Sequence, residues 1–149
     1  MNHWKRTIEE LDALESTLRS DGWETVATQA GDTSVRPRSA GNEDWVGLSM
    51  TSPGDDAERI EEVAKRADLD EYEVFRRATD DRTYLVVRYA DPDAGVAVLV
   101  AATYDRHGNA VRSVARAAAE RGTIHTRLRR LDGTPVAEFE HADHEPFFP

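Results

Sequence analysis

The sequence predicts a single α+β domain, residues 1–149, in which about three helices pack against an antiparallel sheet. Two observations favour this class: apolar residues recur at helical spacing in three segments, and β-type apolar runs fill the segments between them. The predicted element order is α-β-β-α-β-β-β-α-β-β, with a three-strand meander after the second helix and a C-terminal hairpin. A chain of this length without internal repeats is typical of one domain.

The N-terminal third begins with a helix over residues 3–20, where apolar residues recur at spacings of three and four. Two short strands follow, over 23–28 and 45–51. The polar stretch 31–44 between them contains proline and glycine, so we expect a flexible loop there. A second segment without a regular pattern is the short tail, 141–149.

The second helix has a strong start signal in Ser52-Pro-Gly-Asp55. Serine would be the N-cap, proline would occupy the first helical position, and an acid follows three residues after the cap. Ala57, Ile60 and Val63 then form the apolar stripe. A third helix is predicted over 109–121, beginning at an asparagine cap.

The meander is predicted from three consecutive strand patterns, over 72–79, 82–90 and 95–104. Asp80-Asp81 separates the first two strands as a two-residue turn. A four-residue turn, 91–94, separates the second and third strands. These turn lengths set the register of the strands, and therefore which side chains share a face.

In that register Phe75 lies opposite Val86, and Tyr89 lies opposite Val96. One face of the meander is apolar and forms the core under the helices. The other face is apolar as well, although a solvated face would be polar, so either another element or a partner covers it. We call it the second face of the meander; it comprises Phe75, Tyr84, Val86 and Leu99, with Glu73, Arg77 and Arg88 at its rim.

The C-terminal hairpin is predicted from strands over 123–131 and 134–140. Asp132-Gly133 between them is typical of a type I′ turn. The resulting register forms two cross-strand charge pairs, His125 with Glu140 and Arg127 with Glu138.

The composition excludes several classes of protein. The chain has no cysteine, which rules out a disulfide scaffold, a thiol catalyst and a cysteine metal site. It has neither a run of about 20 apolar residues nor the apolar stretch of a signal peptide, so we expect a cytoplasmic protein that does not enter a membrane. The chain has 29 acidic residues, 17 arginines and only two lysines, and its net charge is −10. A carboxylate-rich surface poor in lysine suits high salt, where self-repulsion is screened.

Two runs carry a family resemblance: Trp4-Lys-Arg-Thr-Ile-Glu-Glu-Leu-Asp-Ala-Leu-Glu and Asp21-Gly-Trp-Glu-Thr-Val-Ala. In these runs and in its composition, the chain resembles an uncharacterised family of small acidic proteins from halophilic archaea. The resemblance implies a halophilic cytoplasm and no particular activity.

The stretch 106–130 contains seven arginines and one acid, so it is a candidate for binding an anion or RNA. We rank this hypothesis lowest, because the acidic remainder of the chain repels polyanions and two of its side chains face carboxylates across the hairpin. We therefore do not expect nucleic acid as a partner.

His141 and His144, among the acids of the tail, form the one cluster of metal-ligand type. A structural metal site needs a closed shell of ligands, and no helix preorganises these residues. We therefore favour a solvated tail, with no cofactor and no catalytic residue assigned in the chain. Phe147 and Phe148 are costly to leave in water, so they dock either on the body of the chain or on a partner.

The leading functional hypothesis is a non-enzymatic interaction module, a homodimer that uses the second face of the meander together with Phe147 and Phe148. The alternative is a small-ligand-binding or enzymatic domain with a pocket on that same face, lined by Phe75, Tyr84 and Leu99.

The charge balance yields a first prediction. Raising KCl from about 0.1 M to 2 M shortens the Debye length from about 10 Å to below 3 Å, so self-repulsion of the folded chain falls. We expect the midpoint of thermal unfolding at pH 7, followed by circular dichroism, to rise by several degrees. The gain should shrink near pH 4.9, where the net charge vanishes. A flat or falling midpoint at pH 7 would contradict the prediction.

Overall fold

The computed structural model describes residues 2–36, 46–143 and 145–148, and confirms the α+β class. In these residues it has three helices and eight strands. They are α1 (His3–Ser20), β1 (Glu24–Gln29), β2 (Asp32–Arg36), β3 (Gly47–Thr51), α2 (Gly54–Arg66), β4 (Glu71–Ala78), β5 (Arg82–Asp91), β6 (Val96–Asp105), α3 (Asn109–Arg121), β7 (Ile124–Arg129) and β8 (Pro135–His141).

The strands form two four-stranded sheets. The first sheet has the order β1-β6-β5-β4, and the second has the order β2-β3-β7-β8. The meander and the C-terminal hairpin are antiparallel, as predicted, but each sheet also contains one parallel pair. β1 runs parallel to β6, and β3 runs parallel to β7. Both sheets are therefore mixed.

β2 occupies the first part of the segment for which we expected a loop. It pairs antiparallel with β3, so that Ser34 lies opposite Ser49. This strand is polar and lacks the apolar–polar alternation that identifies a strand in sequence. It is ordered by its pairing with β3, which the local pattern does not reveal. The rest of the predicted loop lies outside the described residues.

α2 begins differently from the prediction. Pro53 occupies the N-cap position and makes no side-chain capping bond, while Ser52 lies before the helix with a buried hydroxyl that has no partner in the described residues. Asp55 and Asp56 lie in the first turn. Their carboxylates favour the positive end of the helix dipole, so charge stabilises this helix start in place of a serine cap.

The register of the meander is confirmed between β4 and β5, where Phe75 lies opposite Val86. Between β5 and β6 the predicted register is wrong by two residues: Tyr89 lies opposite Val98 instead of Val96. The turn still has four residues but is displaced by one position. Since side chains alternate with period two, a shift of two leaves every residue on its predicted face.

The C-terminal hairpin has the predicted charge pairs but a different turn. His125 lies opposite Glu140, and Arg127 opposite Glu138. Gly133 N–H donates to Arg130 O at 2.9 Å, and Gly133 has φ +92°. This is a longer turn ending in a left-handed glycine, with a bulge before Arg129, instead of a two-residue type I′ turn.

The core has two parts, one on each side of the first sheet. The predicted core face of the meander packs against α2, α3 and also the second sheet, which the sequence did not indicate. The second face of the meander packs against α1, whose Leu11 and Leu18 contact the layer that contains Val86 and Leu99. An element of the same chain therefore covers this face.

Gly47 provides a stability prediction. It has φ +150°, and a Cβ atom at this position would lie 1.7 Å from the backbone oxygen of His125 on β7. We expect Gly47→Ala to lower the free energy of unfolding by more than about 3 kcal/mol in urea titrations, because β3 and β7 must separate. Gly54→Ala is the matched control: that glycine begins α2 in open space, so its replacement should leave stability unchanged or raise it by up to about 1 kcal/mol. Similar losses in both variants would contradict the prediction.

Candidate functional site: the outer edge of β4

The centre of the second face of the meander is closed to a partner. Val86 and Leu99 are both 0% exposed, since α1 lies on them. Tyr84, nearer the rim, packs against the ring of His3 with 5.6 Å between ring centroids. Thus the apolar character that suggested a dimer contact at Val86 and Leu99 reflects packing within one chain, and the expected ligand pocket around Leu99 is filled by α1.

Phe147 and Phe148 are buried on the body of their own chain. Tyr104 donates a hydrogen bond to the carbonyl of Phe147, and its ring lies 5.4 Å from that of Phe148. On the other side, the rings of Phe147 and Tyr72 stack 5.9 Å apart. Of the two alternatives left open by the sequence, the geometry is that of docking on the body of the chain.

The rim of the second face remains accessible. α1 packs mainly over β1, β5 and β6, and β4 lies beyond it. Between α1 and the half-buried Phe75 lies a shallow groove of about 280 Å³, whose walls are mostly apolar and include Ala13, Leu14 and Thr17. The residues of the predicted interaction face that stay accessible are therefore those on or beside β4.

Among the described residues, β4 has a strand partner on one side only, because it lies at the edge of the first sheet. Thr79 N–H donates to Arg82 O at 2.9 Å, which marks this pair as hydrogen-bonded. In an antiparallel ladder such pairs alternate, so the backbones of Glu73, Phe75 and Arg77 bond to β5. The N–H and C=O groups directed to the outer edge belong to Tyr72, Val74, Arg76 and Ala78.

The opposite edge of the same sheet is less open. There, Arg59 of α2 donates a hydrogen bond to the carbonyl of Thr25 on β1 at 3.2 Å. A side chain thus already occupies an acceptor at this edge, and α2 packs beside the strand. The outer edge of β4 is the better candidate for pairing.

The charges along β4 are separated by sign. Glu71 and Glu73 lie in its N-terminal half, and Arg76 and Arg77 lie in its C-terminal half. Two of these residues pair within the chain: Arg88 donates to Glu73 at 2.6 Å, and Arg77 forms an ion pair with Glu10 of α1. The side chain of Glu73 is still half exposed. The edge therefore presents an acidic end and a basic end.

His141 is a core residue and not a solvated tail residue, since it is 2% exposed. Its Nε2 lies 2.9 Å from Thr126 Oγ1, and this oxygen lies 2.6 Å from the hydroxyl of Tyr89. These two hydrogen bonds link the second sheet to the first. The ring of Tyr72 covers the imidazole at 4.2 Å. Burial, with a smaller effect of His125, lowers the pKa of His141 to about 4. The imidazole is therefore neutral at pH 7.

The other half of the metal candidate, His144, lies outside the described residues. Within residues 2–36, 46–143 and 145–148, no group of three or more His, Asp or Glu side chains is placed to hold a metal ion. In this structure His141 packs inside the core and shares one hydrogen bond with Thr126.

Several arginines of the 106–130 stretch contact carboxylates. The partner is Glu138 for Arg127, Asp32 for Arg129 and Glu61 for Arg130, at 3.0, 3.2 and 3.4 Å. Such pairs are ordinary surface interactions of modest energy. They leave little free positive charge for a phosphate on this side of the hairpin.

One cavity on the α1 side of the fold was not foreseen from the sequence. It has a volume of about 720 Å³ and lies between α1, the end of β1 and the start of α2. Its walls include Trp4 and the carboxylates of Glu15 and Asp56, which accept hydrogen bonds from the hydroxyls of Thr25 and Thr28 at 3.0 Å. No local motif identifies it, because its walls come from distant segments.

In its described residues, the chain is a small α+β protein built from two mixed four-stranded sheets, and β4 is an edge strand of the first. The chain belongs to a family of unknown function (DUF7529), whose model matches residues 1–149. This agrees with the resemblance to an uncharacterised family; a halophilic source is not part of the match. No curated protein and no solved structure matches the chain. In the described part of the chain, none of the helices has the length and apolarity needed to cross a bilayer.

The buried imidazole yields a pH prediction. The pKa of His141 is about 4 in the folded chain and 6.5 in a free histidine, so the unfolded chain binds more protons between these values. Its contribution to stability is full above about pH 6.5 and is lost as the pH falls toward 4, by roughly 3 kcal/mol.

We expect urea titrations at pH 7.5, 6.5, 5.5 and 4.8 to show this loss in the wild type. His141→Gln should show a shallower slope, because glutamine does not titrate. An unchanged slope in His141→Gln would contradict the assignment.

Proposed function

We propose that the protein is a non-enzymatic interaction module that forms a homodimer through the outer edge of β4. The observation that carries the proposal is an edge strand of eight residues whose outward backbone groups have no strand partner among the described residues. Unpaired strand edges are templates for pairing with another chain.

The groove beside the strand supports the same surface. Phe75 is half buried, and α1 forms the wall of an apolar depression next to it. A strand added to β4 would bring side chains over this groove and bury apolar area that α1 leaves uncovered. Pairing would therefore combine backbone hydrogen bonds with apolar contact.

The charges of the strand favour a second copy of the chain as the partner. In an antiparallel pair of identical β4 strands, the acidic half of each strand lies against the basic half of the other. A parallel pair would instead set like charges against each other, which is unfavourable. An antiparallel two-fold arrangement is also the usual symmetry of a homodimer.

We further propose that this module works in the cytoplasm of a halophilic archaeon. Support comes from the excess of carboxylates over lysines and from the sequence resemblance. Backbone pairing and apolar contact tolerate high salt better than a surface held by charges alone, so the proposed contact suits such an environment.

Light scattering coupled to size exclusion tests the proposal. At micromolar concentration we expect the wild type at twice the chain mass of 16.7 kDa, in both 0.15 M and 2 M KCl (about 8 Å and below 3 Å Debye length). Val74→Pro removes an outward N–H while leaving the bonds to β5 in place, so it should give a folded monomer.

A second pair of variants tests whether the dimer depends on the β4 edge or on any exposed apolar side chain. Phe75→Asp should weaken the dimer, while Leu131→Asp should not, although Leu131 is 77% exposed in the turn of the distant hairpin. Far-UV circular dichroism checks that each variant is folded. A monomeric wild type, or a dimer unaffected by Val74→Pro and Phe75→Asp, would overturn the proposal.

A further inference from the structure

We infer that the two β4 strands pair in one register, with the two-fold axis between the Phe75 side chains and with Glu73 facing the partner's Arg77. The inference rests on the proposed homodimer and names the residues that select the partner. It follows from the outward backbone groups, from the order of charges along β4 and from the ion pairs around them.

The backbone first limits the registers. Outward groups must face outward groups, and Tyr72, Val74, Arg76 and Ala78 carry them. In a two-fold antiparallel pair, moreover, opposite residues lie on the same face of the continuous sheet. The axis can therefore pass through any one residue position of β4, and each choice sets a different group of side chains opposite one another.

Side-chain chemistry then separates the four central registers. An axis at Glu73 would set this glutamate against its own copy, and an axis at Arg76 would do the same with arginine; like charges directly opposite are destabilising. An axis at Val74 would set Glu73 against Phe75, which places a carboxylate on an apolar ring. These three registers are disfavoured.

With the axis at Phe75, every pair of opposite side chains among Glu73, Phe75 and Arg77, on the α1 side of the sheet, is a favourable one. The two Phe75 rings meet beside the two grooves, where aromatic side chains opposite one another pack favourably. On each side of them a Glu73 faces an Arg77, so the symmetric contact contains this pair twice. The register is the self-complementary one.

The existing ion pairs extend this contact. Arg88 already donates to Glu73 at 2.6 Å, and Arg77 already pairs with Glu10. In the dimer the four charges would alternate in sign, from Arg88 and Glu73 of one chain to Arg77 and Glu10 of the partner. Arg77 can donate to a second carboxylate as well, because its guanidinium carries five N–H donors and its side chain remains partly exposed beside Glu10.

Charge reversal tests the register. At 0.15 M KCl, Glu73→Arg places an arginine opposite the partner's Arg77, and Arg77→Glu places a glutamate opposite the partner's Glu73. We expect each variant alone to raise the dimer dissociation constant at least tenfold. When the two variants are mixed, each chain meets its complement, so a heterodimer should form with near wild-type affinity. Sedimentation with one variant fluorescently labelled measures it.

Two controls make the test specific. Glu71→Arg mixed with labelled Arg77→Glu would restore both contacts only with the axis at Val74, where these positions face each other. Here it should give no more recovery than wild-type chain mixed with labelled Arg77→Glu. Glu58→Arg makes a charge reversal of the same size at an exposed position of α2, outside the proposed contact, and should leave the dimer intact. Restored pairing in the Glu73→Arg and Arg77→Glu mixture also shows that both variants are folded.

The outcomes distinguish this inference from the proposed function. A monomeric wild type removes the homodimer itself. A wild-type dimer that Val74→Pro dissociates, but whose single charge variants stay dimeric or fail to recover when mixed, overturns the register and leaves the edge contact standing. Recovery to near wild-type affinity with Glu71→Arg instead, beyond that with a wild-type partner, would also overturn the register, and would move the axis to Val74.

Discussion

β6 is buried on both of its faces, and the rest of the structure follows from this constraint. From Val96 to Ala102 every residue of the strand is buried. Such a strand must lie inside its sheet and must be covered from both sides. β1 and β5 flank it in the sheet, α1 covers one face, and the second sheet with α2 and α3 covers the other. β4 pairs with the other side of β5 and so lies at the edge of the sheet.

Local signals in the sequence predicted the parts of the fold that local chemistry determines. The two aspartates at 80 and 81 act as a two-residue turn, and this sufficed for the register of β4 against β5. The register of β5 against β6 depended on where a four-residue turn begins, and that was predicted one position too early. Pairing across long stretches, such as β1 with β6 and β3 with β7, has no local signal, so the division into two sheets could not be predicted.

The candidate site was predicted only in part, for a related reason. Apolar side chains on both faces indicate that a strand is covered, and they do not indicate whether a helix of the same chain or a partner provides the cover. Val86 and Leu99 carry this signal on interior strands, where α1 supplies the cover. Phe75, Glu73 and Arg77 were named from the same pattern, but they differ in lying on the edge strand, and strand order is not readable from periodicity. His141 was likewise predicted to lie in a solvated tail. The neighbouring sequence does not reveal that its side chain packs in the core beside Thr126 and Tyr89, which are distant along the chain.

The parallel pairing of β1 with β6 also affects how the chain can fold during synthesis. Glu24 pairs with Val96, so β1 has no pairing partner until β6, well into the second half of the chain, has been synthesised. Over that interval the apolar stripe of α1 has only β1 to pack against, because β5 and β6 form the rest of its docking surface. Non-local pairing of this kind slows folding and prolongs the exposure of apolar surface. The apolar stripe of α1 therefore gains its full cover only after β5 and β6 have been synthesised.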